Sequence, residues 1–439
     1  MGIIRNRQEV NYSVKCFAVL TMLLALVYSC KKNTTTIYPQ FKDYHLGYPP
    51  TANTNSLKLA DGSFLILEDG PSNDSNNANF YLYKFDSHGN FITSKAVVFN
   101  QRNFTTLALA GNNFFISGIS LVTNQFYVAC FDANMDKLWD SSYAFNNIFN
   151  ALTGCAAADG NILIAIGTRT IIDSQATFIA KINAATGALI NAPVPISGIP
   201  ANLQCQPLSI MARSDGVYIC GYYLDSVPSI NATTIGSLFC FKTTENGNVI
   251  WFRNQTVPAF ASTVPFTVGF NIADNNTGAP VAATAITVPT LTWSGFVTNG
   301  APTYNYNYAY NLIGSIAGIS FDPSTGNTID STVFGIDNKA IMPVIHATAD
   351  GGYIMAATGD YFLYNSTFAT SVLLIKTDAH FNVQWQKKIA AVGNNYVVFG
   401  LSVLSDGYEI IGQNNYINNK KLNNDIFFIK TGLDGNVSD

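Results

Sequence analysis

HATADGGYIMAATG at residues 346–359, followed by SVLLIKTDAHFNVQWQKKI at 371–389, decides the fold. Each stretch is a pair of short apolar runs joined by a tight turn, Asp350-Gly351 in the first and Asp378 to Asn382 in the second. Asp-Gly pairs supply the positive φ that short hairpin turns need. Apolar runs of this length, rich in Val, Ile and Tyr and bounded by turn residues, read as strands. The passage therefore encodes two successive hairpins, one four-stranded antiparallel unit.

The unit recurs along the chain. Its first hairpin is legible as LKLADGSFLIL (57–67), LALAGNNFFISG (107–118), CAAADGNILIAIG (155–167) and IMARSDGVYICG (210–221). It returns as the degenerate FNIADNNTGAPVAATA (270–285) and as LSVLSDGYEIIG (401–412). The turn positions Asp61, Gly111, Asp159, Asp215, Asn275, Asp350 and Asp406 lie 50, 48, 56, 60, 75 and 56 residues apart. A period near 50 with four short strands is what a propeller blade requires; a β-helix needs a shorter period, and helical repeats need 3.6-residue periodicity. The expected fold is all-β, a seven-bladed β-propeller of four-stranded antiparallel blades. The last copy stops at Asp439, where its fourth strand should begin, while Ile37–Leu46 precedes the first copy without a unit of its own. That N-terminal segment is expected to complete the seventh blade and close the ring, removing free sheet edges.

Composition agrees. Only 11% of the 439 residues are charged, against about 25% in an average domain, and the polar balance comes from 47 Asn with Ser and Thr. Asn, Thr, Gly and aromatic residues suit turns and strands better than helical faces. The net charge of −4 and the lack of a basic cluster in the body argue against nucleic acid as a partner.

The N-terminus reads as an export signal. Arg5, Arg7 and Lys15 form a basic head before the apolar run FAVLTMLLALVYS at 17–29, which ends at Cys30. Thirteen residues are too few to span a bilayer but suit a secretion signal. Val27, Tyr28, Ser29 and Cys30 resemble a bacterial lipobox, with Tyr28 bulkier than usual at its position. The expected organisation is a signal peptide at 1–29, lipidated Cys30 with a tether to residue 40, and a single propeller domain over 41–439. Acyl chains on Cys30 would hold the chain to the membrane, since each buried CH₂ contributes about 0.8 kcal/mol. The expected location is the bacterial cell envelope, on the outer rather than the inner membrane. Cys130, Cys155, Cys205, Cys220 and Cys240 show no metal-site spacing. Cys220 and Cys240 fall on successive strands of one unit, so a cross-strand disulfide and a pair of free thiols both stay open.

The repeat grammar DGGYI…G…LIKTDxxGNVxW resembles that of propellers in secreted and lipid-anchored bacterial proteins, over residues 57–439. The resemblance implies the fold and a role as a binding, scaffold or enzyme-associated module; it assigns no catalytic residue. In such blades the loops after strands one and three share a face, and here these are the tight turns. Length variation lies on the opposite face, where function usually sits on a rigid frame. The long connections there carry Trp293, Tyr304, Tyr306, Tyr308, Tyr310, Tyr361 and Tyr364 among many Asn. Aromatic faces stack on sugar C–H groups and Tyr-rich loops suit protein recognition, so a glycan or protein ligand is expected there. The same alternating Tyr-Asn stretch also reads as a hairpin covering the barrel mouth.

Trp139, Trp251 and Trp385 occupy one repeat position on the fourth strand and are read as packing between blades. Asp132-Ala-Asn134-Met-Asp136 starts like a calcium loop, but Tyr143 stands where the bidentate Glu is needed, so a turn is expected. His346 falls in a first strand and is expected to line the central channel, while His88 and His380 fall in turns and His45 in the N-terminal segment. No nucleophile elbow, zinc-protease pair or phosphate loop appears. The turns NAATGAL and DPSTGNT resemble those of quinone-cofactor propellers, but the tryptophan-docking pattern of that family does not repeat in the sequence. No metal or cofactor is expected, and the chain is read as a monomer. The alternative is a carbohydrate-active hydrolase or lyase with carboxylates about 5–10 Å apart on the loop face or in the channel.

Overall fold

The computed structural model describes residues 35–37, 42–45, 54–69, 77–100, 103–120, 125–145, 149–168, 177–199, 203–225, 236–255, 266–274, 280–288, 294–298, 301–305, 313–334, 340–359, 370–389, 395–418 and 421–437. Two short strands open the chain, β1 (Thr35–Ile37) and β2 (Lys42–His45). Blade 1 holds β3 (Thr54–Lys58), β4 (Phe64–Asp69), β5 (Asn77–Phe85) and β6 (Phe91–Asn100). Blade 2 holds β7 (Asn103–Ala110), β8 (Asn113–Ser120), β9 (Gln125–Phe131) and β10 (Lys137–Ala144). Blade 3 holds β11 (Phe149–Ala156), β12 (Ile162–Thr168), β13 (Thr177–Ile182) and β14 (Leu189–Pro195). Blade 4 holds β15 (Leu203–Arg213), β16 (Gly216–Asp225), β17 (Gly236–Thr243) and β18 (Val249–Gln255). In blade 5, β19 (Phe266–Asp274) and β20 (Pro280–Val288) are followed by a separate hairpin, β21 (Ser294–Thr298) and β22 (Ala301–Asn305). The blade resumes with β23 (Ile313–Phe321) and β24 (Thr328–Phe334). Blade 6 holds β25 (Ala340–Ala347), β26 (Tyr353–Gly359), β27 (Ser371–Thr377) and β28 (Val383–Ile389). Blade 7 holds β29 (Asn395–Val403), β30 (Gly407–Asn418) and β31 (Lys421–Gly432).

The sequence pattern explains these layers. A middle strand has a neighbouring blade on both faces, so it reads as a continuous apolar run, and every residue of β26 and β27 is buried. A fourth strand lies at the rim, and β10, β14 and β24 leave alternate residues in water. The inserted hairpin accounts for the spacing of 75 residues at the fifth copy.

The ring closes as expected. Strand β2 pairs antiparallel with β31 as the outer strand of blade 7, matching Lys42 to Phe428 and His45 to Asp425. Strand β1, within the stretch read as a tether, adds a fifth strand to blade 6 by pairing parallel with β28. Apolar clusters fill all seven seams between adjacent blades among the described residues. The seam from blade 7 back to blade 1 packs Phe64, Ile66 and Phe85 against Ile411, Ile426 and Phe428. Each such side chain contributes about 1.5–3 kcal/mol by burial.

Within blades, the first-turn Asp meets a Lys from the third strand. Lys84–Asp61, Lys181–Asp159, Lys242–Asp215, Lys376–Asp350 and Lys430–Asp406 pair at 3.5, 2.7, 2.8, 2.8 and 2.9 Å. Blades 2 and 5 lack both partners: Gly111 and Asn275 stand at the turn, and Cys130 and Ser320 at the Lys position.

Between blades, the three tryptophans pack as read from the sequence. Trp139 donates from Nε1 to the Ala184 carbonyl at 2.8 Å, and Trp251 to the Pro323 carbonyl at 3.1 Å. Their rings lie where a Cβ on Gly187 or Gly326 would stand, 2.6 and 2.4 Å away, and Trp385 covers Gly435 likewise at 2.6 Å. The turns NAATGAL and DPSTGNT are thus docking sites for the tryptophan of the preceding blade. The 132–136 stretch is a hairpin turn, with Asp132 Oδ1 accepting from the Asn134 and Asp136 amides.

Candidate functional site

The innermost strands of the seven blades, β3, β7, β11, β15, β19, β25 and β29, surround a central cavity of about 640 Å³. In blades 2 to 7 this strand carries a register break, between 104 and 106, 149 and 151, 207 and 209, 267 and 270, 341 and 344, and 398 and 400. Such breaks interrupt the ladder and re-aim side chains. Backbone groups on the open edge of these inner strands are satisfied by the neighbouring blade. Ser209 Oγ accepts from the Ile272 amide at 3.1 Å, and Asn271 Oδ1 from the Ile345 amide at 3.1 Å. Ser56 donates to the Phe399 carbonyl at 3.4 Å.

Seven positions of equal register form a girdle around the cavity: Asn55, Thr106, Thr153, Ser209, Asn271, Val344 and Gly400. Blades 1 to 5 contribute hydroxyl or amide groups, while blades 6 and 7 contribute a valine and a bare backbone. Thr106 is buried, and its Oγ1 has no hydrogen-bond partner. The sequence reading missed this arc. Five of its positions fall six residues before the turn Asp or its equivalent (55 and 61, 153 and 159, 209 and 215, 344 and 350, 400 and 406), and that constant offset is the signal that finds them.

Nearer the turns, Lys58, His346 and Ser402 line the same cavity. His346 is among the lining residues; its ring bonds the backbone of Leu401, and burial holds its pKa below the usual value. Lys58 places its ammonium 5.4 Å from the Phe64 ring centroid and makes no ion pair among the described residues. Behind it, Glu409 is 4% exposed with Oε2 unpartnered. Burial raises its pKa to about 7, partly opposed by Lys58 and Lys430 and aided by Asp86. Among the described residues no three His, Cys, Asp or Glu side chains gather as a metal ion would need.

Several aspartates on the turn face are engaged within their own blade. Asp86 and Asp378 accept from backbone amides of their own turns, and Asp159 is held at about 2, first by the hydrogen bond from Lys181. Cys30, Trp293, Tyr306, Tyr308, Tyr310, Tyr361 and Tyr364 lie outside the described residues. Tyr304 sits in β22 opposite Gly295 of β21, so part of the fifth-blade insertion is a hairpin; its side chain lies outside the described set. Cys220 and Cys240 are direct cross-strand partners, both buried, with free thiols.

This architecture defines a seven-bladed β-propeller with a polar-lined channel. No family model and no curated protein matches the chain. Among solved structures it is similar to the polysaccharide lyase Uly1, at 9% identity over 92% of this chain and 95% of that one, with a TM-score of 0.48. It is similar to BBS1N in complex with ARL6DN, at 10% identity over 91% and 99%, with a TM-score of 0.46. A third likeness is to the Penicillium chrysogenum α-L-arabinanase complexed with arabinobiose, at 9% identity over 89% and 99%, with a TM-score of 0.44. Likenesses this distant carry no argument about activity.

Proposed function

We propose that this propeller is a lipid-anchored, extracytoplasmic binding or scaffold module that recognises a glycan or protein through the face bearing its long connections. One observation carries the reading: the two faces are built differently. The described turn-face aspartates Asp86, Asp159, Asp350 and Asp378 are engaged by their own turns or by the third-strand lysines. Length variation, with the aromatic and Asn-rich composition, falls on the opposite connections. A rigid frame with variable loops on one side is the usual arrangement of a recognition surface.

The anchor rests on the 17–30 segment. Radiolabelled palmitate should enter the chain and be lost in Cys30→Ala, which should also leave the membrane fraction. For the ligand, the purified chain without its signal segment is applied to a glycan array and to envelope proteins. Binding that Trp293→Ala abolishes supports the aromatic connections as the contact surface. Binding that this variant leaves unchanged removes them from the account.

A further inference from the structure

We propose that the central channel is a second binding site, taking a small carboxylated polyhydroxy compound of the sugar-acid class. Its hydroxyls would lie on the arc running from Thr153 to Asn271 and its carboxylate on Lys58. The site is separate from the loop face and does not depend on the reading given for that face.

The cavity of about 640 Å³ falls within the range that encloses small ligands. Thr153 brings a hydroxyl side chain to the cavity wall, whereas the Thr106 hydroxyl beside it is sealed from water. Asn271 uses its Oδ1 on the Ile345 amide, which leaves its NH₂ to donate. Ser209 accepts from Ile272 and keeps its own proton to give. Neighbouring donors along one arc are what the oxygens of vicinal hydroxyls can accept from. Val344 on the opposite wall offers apolar contact to C–H groups.

Charge selects the acid. Lys58 is the single charged residue among those described that line the cavity, and it makes no ion pair; Glu409 is within electrostatic reach but is not bonded to it. One ammonium balances one carboxylate, whereas a phosphate dianion would leave a charge unmet. Lys58 lies three residues beyond the girdle, roughly 10 Å of extended strand, so a ligand of one or two sugar rings spans both groups.

The test is calorimetric titration of the full chain in detergent with D-glucuronate, D-galacturonate, D-glucose and inorganic sulfate. The proposal expects a uronate to bind and glucose and sulfate not to. Lys58→Met should weaken uronate binding about tenfold to a hundredfold, as expected for loss of a charged hydrogen bond. Thr153→Val, which keeps volume, should weaken it by a smaller factor while unliganded thermal stability changes little. Trp293→Ala should leave it unchanged, which separates this site from the loop face. No heat with either uronate, equal binding of sulfate, or binding that both channel variants leave intact would overturn the proposal.

Discussion

The seams leading out of blades 2, 4 and 6 differ from those leading out of blades 1 and 5. In the first group the fourth strand supplies a tryptophan (Trp139, Trp251, Trp385) and the next blade's second turn supplies a glycine at positive φ (Gly187, Gly326, Gly435). In the second group, Thr93 and Asp330 stand at the tryptophan position. The facing turns place Met135 and Phe381 at the corresponding positive-φ position, with φ of 63° and 59°. Both side chains are buried in the seam clusters, and Phe381 lies against Gly318 of the preceding blade. Each of these seams therefore needs one bulky knob and one small partner, and either side can supply the knob. A non-glycine residue in the left-handed region costs about 1–2 kcal/mol, which burial of a Met or Phe offsets. The seam from blade 3 to blade 4 uses neither device; Asn191 donates to Asn246 Oδ1 at 3.2 Å and Lys181 meets Glu245.

Point substitutions separate the two kinds of seam. The largest effect belongs to the knobs: Trp251→Ala and Phe381→Ala should each cost about 3–5 kcal/mol in urea unfolding. Equal small losses would mean that the knobs are not what holds the seams. Next, Gly326→Met should destabilise by about 2–4 kcal/mol through strain and collision with Trp251. In the double variant with Trp251→Ala the two costs should fall short of adding, by at least about 1 kcal/mol. Full additivity would show that the knob cannot be transposed.

The third prediction concerns the seam from blade 7 to blade 1, where Glu409 is buried. Its pKa is raised in the folded state, from an ordinary value of 4.5 to about 7, so the native state holds the proton more tightly than the unfolded chain. Its contribution is most favourable below pH 4.5 and declines as pH rises to about 7. Glu409→Gln should therefore gain stability over the parent between those limits, by up to about 3 kcal/mol. A gain that is flat with pH would remove the buried carboxyl from this seam. The smallest effect belongs to the seam from blade 3 to blade 4, which has no knob: Asn191→Ala should cost under about 1 kcal/mol. A loss as large as that of Trp251→Ala would erase the distinction between the two kinds of seam.

The sequence made the repeat, the turn chemistry and the place of the tryptophans legible, because Asp-Gly turns and strand runs are local signals. It also placed the N-terminal segment beside the last copy. The exchange of knobs was not legible. Met135 and Phe381 look like ordinary apolar turn residues, and a left-handed conformation is rarely expected of them. The register breaks of the inner strands were hidden for a similar reason: an extra residue changes pairing without changing composition. Thr153 and Ser209 are common strand residues, and only their shared distance from the turn marks them as one layer; Thr106, five residues before Gly111, lacks even that mark. The paired loss of the turn Asp and the third-strand Lys in blades 2 and 5 was visible in the letters, and it gained meaning once the two were seen bonded.

Ring closure is the claim on which the seams, the channel and the two faces depend. A Cβ on Gly400 would lie 3.3 Å from the Cβ of Ser56, across the junction of the last and first blades. Disulfide partners have Cβ atoms about 3.5–4.5 Å apart, so Ser56→Cys with Gly400→Cys tests the junction directly. On mild oxidation the account predicts a monomeric chain with an intramolecular bond, seen as faster migration without reductant and a 56–400 linked peptide. Failure to form that bond, or its formation between separate chains alone, would contradict a closed ring.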